Sequence, residues 1–174
     1  MVKVLLPQLS DRLDSLRDTT VLIDHEDISD RELDSVTLLD ATIKGLSFQG
    51  CRFSKTTLSQ CKLPKSALMN CIITDSELSG SNFSESLLSR CMITKSRLSG
   101  VQIYQSKLEN VHFRDCKLDL ANFRFSHFKN VIFSNCVMSE VDFMEATFEN
   151  TIMDSCELSQ ADFSGCKVKK LDLR

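Results

Sequence analysis

The sequence predicts an all-β solenoid in which the chain turns a corner every five residues, and three observations predict it. Positions ending in 3 or 8, from Leu38 to Leu173, number 28, and all are Leu, Ile, Phe, Met or Val. Two residues before these centres, from Val36 to Leu171, 26 of 28 positions hold Ala, Cys, Ser, Thr or Val, the exceptions being Leu46 and Leu171. All five glycines (Gly45, Gly50, Gly80, Gly100, Gly165) and five of seven asparagines (Asn70, Asn110, Asn130, Asn135, Asn150) fall two residues after a centre.

A period of five excludes the two common elements. Five helical steps carry an apolar residue about 140° around the axis, and five strand steps reverse its face, so neither keeps a constant inside. The chain holds every fifth side chain inward only by bending every five residues, and four such segments close a square coil of 20. Coils stacked at the strand spacing of about 4.8 Å give about seven turns from Val36 onward and a rod of roughly 35 Å. The large centre and the small residue two before it fill the interior. Glycine and asparagine mark the corners because they tolerate positive φ. Ten of eleven phenylalanines are centres, Phe125 being the exception, and Phe123, Phe143 and Phe163 stand 20 apart as one ladder.

Residues 1–20 break the repeat and are expected to cap the solenoid of residues 21–174, in which Val21 and Ile23 already hold the register. Leu6, Leu9, Leu13 and Leu16 follow helical spacing behind Pro7, so the cap is expected to be a short helix or an irregular segment. A bare end exposes a strand edge, and a cap is needed there. At Arg174 the chain is still inside the repeat, so that end is expected to be covered by a further segment or a second copy.

No catalytic apparatus is apparent. All eight cysteines (Cys51, Cys61, Cys71, Cys91, Cys116, Cys136, Cys156, Cys166) occupy the small inward site, where Cys serves as a compact apolar filler. Cys51, Cys71 and Cys91 share one column and Cys116, Cys136 and Cys156 another, which leaves a metal or disulfide as the other reading. His25, His112 and His127 are scattered and make no ligand spacing with cysteine, so no metal is expected. No serine lies in a nucleophile elbow and no glycine-rich phosphate loop is present, so neither an enzyme nor a cofactor is expected. Val4-Leu5-Leu6 is too short for a signal-peptide core and no stretch approaches a membrane span, which points to a cytoplasmic protein.

The formal net charge of −3 is too small to imply nucleic-acid binding. Its distribution is uneven. Residues 1–35 carry nine acids and four bases, net −5, and residues 36–174 carry 15 acids and 17 bases, net +2. Residues 131–166 hold no Lys or Arg and seven acids: Glu140, Asp142, Glu145, Glu149, Asp154, Glu157 and Asp162. Duplex DNA carries one charge per about 1.7 Å, or roughly three per coil rise, a density that the five acids of coil 141–160 meet. The seven acids are therefore the candidate partner-binding segment, against the alternative that they form a solvated surface.

Ala121-Asn122-Phe123 and Ala161-Asp162-Phe163 resemble the A(D/N)LXX consensus of the pentapeptide-repeat family, which implies a right-handed quadrilateral β-helix. Within it, Asp119 to Phe128, Glu145-Ala146-Thr147-Phe148, Lys170-Leu171-Asp172-Leu173 and the Leu6-Pro7 start resemble the chromosomal quinolone-resistance (Qnr-type) proteins of Gram-positive bacteria. That resemblance implies a non-enzymatic DNA mimic. It would bind DNA gyrase or topoisomerase IV and counter quinolones, as a homodimer joined at the C-terminal end with no direct contact to nucleic acid. A general protein-interaction scaffold is the alternative.

Overall fold

Every fifth residue from His25 to Gly165 has a backbone φ between +49° and +71°. These left-handed residues are the corners, and only five are glycine. The computed structural model describes residues 2–17 and 22–174, so Val21 and the boundary expected between 20 and 21 lie outside the described residues.

Between corners, each five-residue side pairs in parallel with the side 20 residues on: Phe48 stands over Leu68 and Phe128 over Phe148 on one side, Phe53 over Ile73 and Phe113 over Phe133 on the next. We number the sides as faces. Face 1 is centred on the column from Ile28 to Val168, and face 2 on that from Leu33 to Leu173. Both carry regular strands, and two of these, Leu87–Thr94 and Lys107–Arg114, run through the corner between them. Face 3, centred on Leu38 to Leu158, and face 4, on Ile43 to Phe163, are held by single bridges per coil, such as Thr37 to Thr57 and Asp142 to Asp162. Leu33 and its stacked equivalents to Leu173 mark about eight turns.

The interior follows the period. Rings one coil apart lie nearly parallel: Phe113 and Phe133 are 4.8 Å apart, Phe123 and Phe143 5.4 Å, Phe128 and Phe148 5.0 Å, and Phe143 and Phe163 5.1 Å. Coils filled by Leu and Ile pack less completely, leaving a void of about 20 Å³ among Leu68, Ile73, Leu88 and Ile93. The small site also has a polar task. The Oγ atoms of Ser86, Ser106 and Ser126 accept from the amides of Ser66, Ser86 and Ser106 at 2.9–3.1 Å, and Ser76 and Ser96 do the same for Thr56 and Ser76. Each hydroxyl satisfies a buried amide that the turn leaves without a backbone partner.

The N-terminal cap is irregular rather than helical. Among the described residues there is no helix. Asp14–Ser15 forms a short strand parallel to Arg31 and Glu32, extending the sheet of face 2, and Leu16 covers the open end beside Ile28. The segment before it lies along the rod. Lys3 to Gln8 border Asn70 and Arg90, the Leu5 amide donates to Asn110 Oδ1 at 3.4 Å, and Val2 is buried beside Ile152, Lys170 and Arg174. Leucine spacing suited a helix, but the edge of the first coil demands backbone donors and acceptors, which only an extended segment supplies.

Candidate functional site

Face 4 carries a charge gradient along the rod. Its first outward column reads Thr42, Lys62, Asn82, Gln102, Asn122, Asp142, Asp162, and its second Lys44, Pro64, Ser84, Tyr104, Arg124, Met144, Ser164. The residues are fixed locally. Asp142 Oδ1 accepts from the Met144 amide at 2.9 Å and Asp162 Oδ1 from the Ser164 amide at 2.8 Å, as Asn82 and Asn122 do for Ser84 and Arg124. This two-residue side-chain turn explains why the position is Asp or Asn. The bond from Ser164 holds the Asp162 carboxyl below the usual carboxylate range.

The seven acids do not share one surface. Asp142 and Asp162 stack on face 4, with Glu140 and Glu145 at the corners on either side. Glu149 belongs to face 1, Asp154 to face 2 and Glu157 to face 3. Three are paired: Glu149 with Lys169 at 2.7 Å, Asp142 with Arg124 at 3.6 Å and Asp154 with Arg174 at 3.9 Å. The hydrogen bond from Lys169 lowers the Glu149 pKa. Glu157 accepts from Ser139 and Ser159. Face 4 thus holds four of the seven, one of them partly neutralised.

The cysteines are packing. All eight are free, six of them buried. Their thiols donate to carbonyls of the preceding coil, Cys71 to Phe48 at 3.4 Å and Cys91 to Leu68 at 3.2 Å. A shared hydrogen bond with Cys116, together with burial, pushes Cys136 up to about 12, and burial raises Cys61 and Cys166. Among the described residues no three His, Cys, Asp or Glu side chains could hold a metal. His112 places Nε2 2.8 Å from Ser134 Oγ, and burial lowers its pKa. Because only Cys156 and Cys166 are partly exposed, a native thiol titration is expected to find at most these two, and all eight after denaturation. Rapid labelling of six or more native thiols would contradict this packing.

Two residues escaped sequence reasoning. Among the described residues, Leu120 and Phe125 are the only left-handed corners with an apolar side chain, and they are 57% and 48% exposed. The signal was present, since Phe125 is the one phenylalanine off a centre.

Comparison with known proteins agrees with the repeat geometry. No curated protein sequence matches the chain. Among solved structures, a trypsin-treated variant of QnrB1, a plasmid-mediated fluoroquinolone resistance protein, is 14% identical with a TM-score of 0.49, covering 85% of this chain and 84% of its own. A pentapeptide-repeat protein of the Arabidopsis thaliana thylakoid lumen is 19% identical with a TM-score of 0.41, covering 50% and 64%. HetL, a pentapeptide-repeat protein involved in heterocyst differentiation regulation from the cyanobacterium Nostoc, is 14% identical with a TM-score of 0.27, covering 85% and 89%. The model of the pentapeptide repeat region matches residues 66–133 and 106–174. With left-handed corners at every fifth residue and a 20-residue coil register, this chain belongs to the pentapeptide-repeat family.

Proposed function

We propose that the protein is a non-enzymatic, cytoplasmic DNA mimic that binds a type II topoisomerase, DNA gyrase or topoisomerase IV, and protects it from quinolones. The observation that carries this reading is the acidic end of face 4. Asp142 and Asp162 stand one coil apart, about 4.8 Å by strand spacing, with Glu140 and Glu145 beside them. A row of fixed anions at that interval presents to a DNA-binding groove what a phosphate strand presents. The resemblance of Asp119 to Phe128 and of Glu145 to Phe148 to the Qnr-type proteins supports the same partner. In a homodimer joined through the C-terminal coils the two acidic ends would lie near its centre and lengthen the row.

Specific ion pairs favour a second reading. Arg124 and Lys169 neutralise Asp142 and Glu149, which suits a general scaffold for a partner with both charges. Gyrase supercoiling with and without a quinolone separates the two. The mimic is expected to inhibit supercoiling at high concentration and to relieve the quinolone at lower concentration. No effect and no binding at micromolar protein would leave the scaffold.

A further inference from the structure

Solvent-facing corners in this fold are held by polar residues or glycine, and the reason is conformational. A left-handed φ costs a residue with a bulky side chain more than it costs Gly, Asn or Asp. Leu120 and Phe125 both have φ +59° and occupy consecutive corners of one coil, one at each edge of face 4. Both remain half exposed, so neither recovers that cost through burial in the core. The other non-glycine corners share that φ, so what sets these two apart is exposed apolar area at adjacent positions of one face, the mark of a surface that meets a partner.

Their surroundings define that partner. Arg124, between them, holds its guanidinium 5.8 Å from the centre of the Phe125 ring and 3.6 Å from Asp142. That contact favours one orientation of the ring, which would lower the entropy lost on binding. The half-buried Tyr104 and Met144 lie one coil away on either side of Arg124 along the same column. Beyond them stand Glu140, Asp142, Glu145 and Asp162. An apolar pair beside an anionic row suits a protein surface with hydrophobic pockets next to Lys and Arg. It repels nucleic acid and anionic membrane alike.

We propose that Leu120 and Phe125 are the hydrophobic anchors by which face 4 docks on a basic protein surface, the acids steering the approach and the two side chains supplying the hold. This deepens the proposed topoisomerase reading and rests on it for the partner. The test is Leu120→Asn with Phe125→Asn, since Asn already fills the corners at Asn110, Asn130 and Asn135. The double variant is expected to melt at the same temperature or higher, because Asn takes the left-handed corner more readily, yet to bind gyrase about 30-fold or more weakly. Phe125→Tyr should keep most of the affinity. Wild-type binding matched within about three-fold by the double variant would overturn the proposal, and so would a fall in melting temperature, which would make the side chains packing residues. If the wild type binds no topoisomerase, that reading fails separately. A soluble peptide of alternating Leu and Lys then decides the anchors: binding weakened about ten-fold by the double variant supports them, and equal or absent binding overturns them.

Discussion

Phe143→Ala is expected to destabilise the solenoid by about 3–5 kcal/mol, the range for removing a fully buried aromatic side chain without collapse of the space it filled. Phe143 is fully buried and its ring meets five others, those of Phe123, Phe128, Phe133, Phe148 and Phe163, at centroid distances from 5.1 to 6.4 Å. The backbone around it is fixed by coils above and below, so the hole cannot close. Urea unfolding would read the loss as a lower midpoint. Because each coil leans only on its neighbours, amide exchange is expected to accelerate first in residues 144–174. Phe143→Leu, which keeps most of the volume, is expected to cost about 1.5 kcal/mol or less. An alanine variant within about 1 kcal/mol of wild type would mean that neighbouring side chains refill the space and that the coils are not held as rigidly as the stacking implies.

The second large effect concerns binding. Asp142→Asn and Asp162→Asn combined with Glu140→Gln and Glu145→Gln should lower topoisomerase affinity about 100-fold, most of it lost at low salt, where steering is strongest. Asparagine keeps the side-chain turn, as Asn82 and Asn122 show on the same face, so the fold should be unchanged by circular dichroism. A companion set on the other faces, Glu149→Gln, Asp154→Asn and Glu157→Gln, removes three charges while leaving face 4 intact. It is expected to weaken binding less than about three-fold. Equal losses from both sets would show that net charge rather than face 4 is recognised.

The columns of the interior, the corners and the small inward site were legible because each is a local demand repeated every five residues. The Phe123, Phe143 and Phe163 ladder could be written down from spacing alone. The acidic segment was legible as composition and misleading as geometry. A coil is a closed circuit, so five acids in 141–160 spread over four faces. Their partners were hidden by the same circuit, although the spacing of 20 that pairs Glu149 with Lys169 also pairs Glu77 with Arg97 and Glu109 with Lys129. Of the two forms expected for the cap, the helical one rested on Leu6, Leu9, Leu13 and Leu16, which satisfy a helix in isolation. What overrode them was a tertiary requirement, the unpaired edge of the first coil. The inward serines were recognised as small, but not as acceptors for buried amides.

The N-terminal segment also imposes an order on synthesis. Val2 rests beside Ile152 and Lys170, so its seat does not exist until nearly the whole chain has been made. At ribosomal rates that leaves Val2 without its seat for roughly 8–30 s, while Lys3 to Gln8 can already settle beside Asn70, Arg90 and Asn110 and the early coils can stack on one another. Seating of Val2 is then a late event that waits for the coil holding Ile152 and Lys170. A shorter nascent chain would leave Val2, which is buried in the folded rod, uncovered, a small apolar mark that sets it apart from the folded form.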